Sequence, residues 1–257
     1  VFALLAGAAL IYYLQLTAPV EVSSTPPSAA TIAVAGSLPA SPTAAPTLQP
    51  TSVAQAQTSP TVAPVESTPT EPPAPPAPAR TLYRIDSARS QASYTVDETF
   101  FDARGLVTVV GTTNAVAGEI LFDPANPAAS QVGEIVVDVS QLRTDDSSRD
   151  NAIRRAYLES LRYPLATFRN ATLSDMPLQL TEGVTFTFKM TGDLTVRDVT
   201  RQVTWDVEAA VTPGELTASA STAIKLSDFG INPPSLSILR VEDDMVLRLD
   251  VAAPAVP

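Results

Sequence analysis

From about residue 80 onward, apolar and polar side chains alternate with a period of two. In VTFTFKMT, Val184, Phe186, Phe188 and Met190 share one face, and Thr185, Thr187, Lys189 and Thr191 share the other. In VTWDVEAAV, Val203, Trp205, Val207 and Ala209 oppose Thr204, Asp206 and Glu208. EIVVDVS (Ile135, Val137, Val139) and MVLRLDV (Met245, Leu247, Leu249, Val251) repeat the pattern. Successive strand side chains point to opposite faces, so each segment is a strand with one dry and one wet face. Antiparallel sheets have that character, whereas parallel sheets are buried on both faces. Turn signals at 123–127 (DPANP), Gly183, Arg197-Asp198 and 212–214 (TPG) separate the runs, and this spacing predicts a sandwich or barrel.

One segment departs from period two. SSRDNAIRRAYLESLRYP places Ile153, Ala156, Tyr157 and Leu161 at helical spacing, with Ser147 or Ser148 as the expected cap and Pro164 as the stop. A single short helix in an all-β domain suits the open end of a barrel. ELTASASTAIKL puts Leu216, Ala218, Ala220, Thr222 and Ile224 on one face. Small inward residues leave volume in a lumen unless larger residues opposite, such as Trp205 and Phe188, fill it. Periodicity leaves the filled and the hollow barrel equally open.

Composition narrows the chemistry. The 257 residues carry a formal net charge of −11, with 16 Lys and Arg against 27 Asp and Glu. Nucleic acid is therefore not an expected partner, because phosphate binding needs clustered basic residues. There is no His and no Cys. The commonest general base, the commonest metal ligand and all thiolate chemistry are thereby removed, which favours binding over catalysis. Asp228-Phe229-Gly230 with the nearby Lys225 resembles two kinase motifs. A kinase also needs a His-Arg-Asp catalytic loop and a Gly-rich loop, and keeps its lysine far upstream. Neither loop exists here. The acidic runs Glu242-Asp243-Asp244 and TDDSSRDN lack the alternating oxygen ligands and the Gly of a calcium loop. The first is expected to be a solvated turn, and no metal site, cofactor or catalytic residue is assigned.

The N-terminal part reads differently. Residues 1–17 begin VFALLAGAALIYYLQL, with no charge. Its first sixteen residues would span roughly 24 Å as a helix, against a ~30 Å hydrocarbon core. A membrane anchor and the apolar part of a cleaved signal peptide both fit. Tyr12 and Tyr13 suit a membrane interface, and no A-x-A site follows closely, which favours the anchor. Residues 18–79 hold most of the 24 prolines among Ala, Thr and Ser. Such a segment is expected to be a disordered linker, partly polyproline II, reaching roughly 45 Å as a coil. Residues 80–257 form one domain with a sizeable core.

Within that domain the motifs YRIDSARSQASYTV, GTTNAVAGEILFD, VDVSQLRTDDSSRDNAIRRAYLESLRYPLATF, GDLTVRDVTRQVTWDVEA and IKLSDFGI occur in one order and spacing. As a set they resemble the YceI-like family, over essentially all of 81–252. The resemblance implies an eight-stranded antiparallel, lipocalin-like barrel with one short helix. It further implies sequestration of a long isoprenoid or similar amphiphile in the lumen, usually outside the cytoplasm. Asp228-Phe229-Gly230 matches the family's own Asp-Phe-Gly-Ile, with Phe229 a packing or pocket residue, Gly230 a permissive backbone position and Asp228 a turn residue. Family members often carry His in the first strands and after the helix's Arg-Asp, and this chain does not.

On that reading the tail-lining candidates are Val96, Phe122, Val137, Phe186, Phe188, Trp205, Ala218, Ala220 and Phe229, with Tyr157 and Leu161 as gate residues on the helix. Ordinary core packing is the alternative for each. Arg149 and Asp150 are expected to cap the helix or form an ion pair rather than touch a head group. The expected protein is an extracytoplasmic binder of an isoprenoid or fatty amphiphile, held to the membrane by its N-terminal helix or secreted, and not an enzyme. The rival is a surface-displayed module with a solid barrel, binding protein or glycan through loops such as 231–242.

Overall fold

The computed structural model describes residues 25–32 and 80–257. The expected anchor (1–17) and most of the expected linker lie outside these residues. Among the described residues no helix is long and apolar enough to cross a membrane.

The alternating segments form twelve strands: β1 (Thr81–Arg84), β2 (Gln91–Phe100), β3 (Leu106–Thr113), β4 (Val116–Ala117), β5 (Glu119–Phe122), β6 (Gln131–Val132), β7 (Ile135–Asp138), β8 (Leu165–Ser174), β9 (Phe186–Val196), β10 (Val199–Thr212), β11 (Glu215–Lys225) and β12 (Leu239–Pro254). Nine make one antiparallel sheet in the order β3-β2-β12-β11-β10-β9-β8-β7-β4. Apart from the two-residue β4, this sheet has eight strands, the expected number. It rolls into a nearly closed barrel. Across the remaining gap the segment after β7 reaches the edge strand β3, where Thr112 and Arg143 exchange backbone hydrogen bonds of 2.9 Å each. The remaining strands form a small sheet, β1-β5-β6. Tyr83 of β1 bridges Ala255 just past β12, so this sheet sits at one end of the barrel.

The hairpins explain the meander from β8 to β12. β9 and β10 pair from Val196↔Val199 outward, across a two-residue turn in which Arg197 has φ +59°. β10 and β11 pair from Thr212↔Glu215 across Pro213-Gly214. Each turn reverses the chain through one residue in the left-handed region, Arg197 in the first and Gly214 at φ +84° in the second. Glu242 to Asp244 is not the expected solvated turn. It lies within β12, where the pairing with β2 skips between Val241 and Met245. Asp243 accepts from the Ser227 backbone N–H and hydroxyl at 2.8 and 2.6 Å, and Asp244 pairs with Lys225. A bulge re-aims a strand locally, and here it sits where β12 enters the barrel.

The helix begins one residue earlier than expected. Asp146, not Ser147 or Ser148, caps α1 (Ser147–Ala152), its carboxylate accepting from the Ser148 and Arg149 N–H groups. The helix continues as a π-helical turn, Ile153–Tyr157, and ends there, well before Pro164. Glu159 at φ +47° turns the chain away. Leu161 is therefore not on the helix, and it is 72% exposed.

Of the linker, residues 25–32 pass close to the small sheet. The Ile32 N–H donates to Glu119 Oε2 at 2.8 Å, and the Ile32 side chain occupies the space where Gly133 lacks a Cβ.

Candidate functional site

The barrel is not packed solid. A cavity of about 660 Å³ occupies the half beneath α1, and a second of about 60 Å³ lies toward the small sheet. The larger volume falls within the range of small-molecule sites. Ile135, Met190 and Leu249 line both cavities, so these three side chains form the partition between them.

The wall of the large cavity follows from the alternation. β2 turns Ala92, Tyr94, Val96, Glu98 and Phe100 inward, and β12 contributes Met245, Leu247 and Leu249. Phe168 meets Trp205 edge to face across the floor, with centroids 6.0 Å apart. Phe229 is almost fully buried and lies against this space. It reaches this position through a short 3-10 turn, Ser227–Phe229, closed by Gly230 at φ +68°. The left-handed conformation explains the glycine, so the Asp-Phe-Gly-Ile stretch serves packing here.

The sequence candidates divide between the chambers. Val96, Val137, Tyr157, Trp205 and Phe229 line the large cavity. Phe122, Phe186, Phe188, Ala218 and Ala220 line the small one, where Phe186 and Phe188 stack at 5.9 Å. The inward alanines thus face the narrower chamber, because Phe122, Ile120 and Val132 of the small sheet fold over that end. Leu161 lines neither.

The polar residues of the wall that bear on a head group gather beneath α1. Arg149 reaches Glu98 on β2, with Nε and Oε1 3.3 Å apart, and also pairs with Asp145. Burial works against the Arg149 charge, but Glu98 and Asp145 outweigh it and hold the guanidinium pKa above its ordinary value. Arg149 is thus an ion-pair residue, as expected, and it also faces the cavity. Asp150 accepts from the Thr144 N–H and hydroxyl at 2.8 Å each, fixing the loop before the helix. Arg154 is buried, donating to the Ser140 and Leu142 carbonyls at 2.8 and 2.7 Å. Its guanidinium pKa is lowered by desolvation. These contacts strap the helix across the barrel end.

Two donors in this wall lack any partner among the described residues: the Tyr94 hydroxyl and the Trp205 indole N–H. Burial pushes the Tyr94 phenol pKa well up. Neither Tyr94 nor Glu98 was among the sequence candidates. The signal was available, since Glu98 interrupts an otherwise apolar inward row between Val96 and Phe100. Among the described residues no group of three or more His, Cys, Asp or Glu is placed to hold a metal ion.

Comparison with known proteins places this geometry. A family model described as YceI-like domain matches residues 83–253. Protein YceI of Escherichia coli O157:H7 is 28% identical over 154 residues, covering 57% of this chain and 75% of that protein. A UPF0312 protein of Vibrio cholerae is 32% identical over 134 residues, covering 49% of this chain and 67% of that protein. Among solved structures, BcnA of Burkholderia cenocepacia superposes with a TM-score of 0.53 at 21% identity, covering 65% of this chain and 98% of BcnA. A polyisoprenoid binding domain from Saccharophagus degradans, implicated in plant cell wall breakdown, gives 0.53 at 14% identity, covering 68% and 98%. At these identities the two structures establish the fold.

Proposed function

The chain belongs to the YceI-like family, and from that premise we propose that it binds an isoprenoid or a similar long amphiphile in the large cavity and carries or shields it without transforming it. The observation that carries this reading is the cavity of about 660 Å³ with its apolar wall. Each buried CH₂ contributes roughly 0.8 kcal/mol of transfer free energy, so a dry channel suffices to hold a tail. The description of the Saccharophagus degradans neighbour as a polyisoprenoid binding domain supports the ligand class. The Glu98–Arg149 pair beside the cavity offers a polar head both an acceptor and a donor. The same reading puts the protein outside the cytoplasm, held to the membrane by residues 1–17.

Organic extraction of the purified protein, followed by mass spectrometry, tests the proposal. A prenyl lipid or fatty amphiphile in stoichiometric amount is the expected result. A protein that is empty, and that takes up no added polyprenyl quinone from detergent, overturns it. The hollow interior speaks against the rival in which a solid barrel serves only as a frame for loops.

A further inference from the structure

The large cavity is walled partly by side chains that face solvent. Leu236 and Ile238, in the segment leading into β12, both line it, yet they are 56% and 59% exposed. Beside them stands the β2–β3 tip, where Phe101 and Leu106 are 63% and 65% exposed. The two segments are joined, since the Phe101 N–H donates to the Ile238 carbonyl at 3.0 Å and Phe100 pairs with Leu239. Four large apolar side chains therefore crowd one rim, continuous with the cavity wall. Monomeric proteins rarely leave such a contiguous patch at a functional opening without a use for it.

Charge and continuity select the occupant. The guanidiniums beside these side chains are internally neutralised, Arg104 by Asp102 at 2.7 Å and Arg240 by Glu242 at 3.0 Å, as is Arg149 of the cavity wall by Glu98 and Asp145. Arg104 also lies over the Phe100 ring, 3.7 Å from its centroid. The rim thus presents apolar side chains ringed by compensated charge, on a molecule of net charge −11. An anionic surface is disfavoured, and a polar protein surface has nothing to pair with. An apolar ligand must also reach the cavity without its tail crossing water. From the residues on this rim we propose that the β2–β3 tip and the 234–239 segment dock on the surface of a zwitterionic lipid bilayer, so that the cavity opens directly onto the acyl region. This inference rests on the binding function proposed above.

The chain has no Cys, so single-cysteine reporters are clean. An environment-sensitive fluorophore on Ala103→Cys, at the β2–β3 tip, is compared with one on Thr187→Cys, in β9 toward the other end of the barrel. Both are made in the full chain and mixed with phosphatidylcholine vesicles. Residues 1–17 would hold both proteins to the vesicle equally, so the signal compared is the burial of each labelled position on bound protein, not the amount bound. The expected result is a blue-shifted, brightened signal at position 103 only, insensitive to salt. Phe101→Asp with Leu106→Asp should weaken the response at 103 by about tenfold or more, the scale set by losing the burial of two large apolar side chains. Neither residue lines the cavity, so uptake of a prenyl quinone from detergent should be unchanged. Equal signals at 103 and 187, or a response that survives the double substitution, overturns the proposal. A concentration-dependent shift at 103 without vesicles assigns the rim to a second copy and overturns it too. Failure of uptake from detergent by both proteins would instead count against the binding function.

Discussion

Tyr94 and Gly111 face each other across β2 and β3. A Cβ on Gly111 would lie 2.2 Å from Tyr94 Cε1, so the ring occupies the place of the missing side chain. Gly111→Ala should therefore cost about 1–3 kcal/mol through overpacking, read as a lower urea midpoint. The Tyr94 hydroxyl has no partner among the described residues, and an unsatisfied buried polar group is a net liability. Tyr94→Phe should raise stability, by about 1 kcal/mol, and a lower midpoint would show that the hydroxyl has a partner in solution. Asp123 accepts from the Asn126 and Ala125 N–H groups at 2.9 and 3.1 Å and pairs with Arg80. The Asn126 N–H first, then Arg80, holds its pKa below the ordinary carboxylate value. The stability it contributes is present above the unfolded-state pKa and is lost as pH falls through the folded value. Asp123→Asn should shrink the difference in urea midpoint between neutral pH and pH ~3.

Among the elements, α1 with its π-helical turn depends on buried polar contacts more than on its own length. Six residues of α-helix are too few to persist alone. Arg154→Met removes two hydrogen bonds from a buried cation to carbonyls, and should cost about 2–3 kcal/mol and loosen the strap. Amide exchange in 147–158 is the direct readout. The inward alanines of β11 are also decided at this scale. Because Ala218 and Ala220 face the small chamber, Leu at either position should destabilise by about 1–3 kcal/mol. Ligand capacity in the large cavity should persist, and its loss would show that the tail runs through the Met190 partition into the second chamber.

For the whole molecule, the cavity is the property to test. Val137→Trp together with Leu247→Trp fills the large chamber with apolar volume. Stability should hold or rise by about 0.5–2 kcal/mol, the usual gain from cavity filling. Uptake of prenyl quinone should fall sharply. A steep loss of stability would mean that the cavity is collapsed in solution. Much of this architecture was legible beforehand. Alternation in VTFTFKMT, VTWDVEAAV and MVLRLDV announced β9, β10 and β12 with the correct inward faces, except that Val184 falls before β9 and is exposed rather than inward. The motifs around Arg149-Asp150 and Asp228-Phe229-Gly230 announced the family. The helix was misjudged at both ends, because Asp146 competes successfully for the cap and a π-helical turn breaks the 3.6-residue period before Leu161.

Local chemistry thus determined which residues form strands, which way each side chain faces and that no histidine or thiol can act. All of that depends on neighbours within a few residues, and a period of two is visible in the string itself. Which inward residues share a chamber was settled only by tertiary structure. Trp205 and Ala220 both point inward, but barrel curvature and the small sheet put one beside the wide cavity and the other beside the narrow one. Glu98 meets Arg149 for the same reason: closure of the sheet brings a strand and a helix some fifty positions apart to a common rim, and no local pattern encodes that distance.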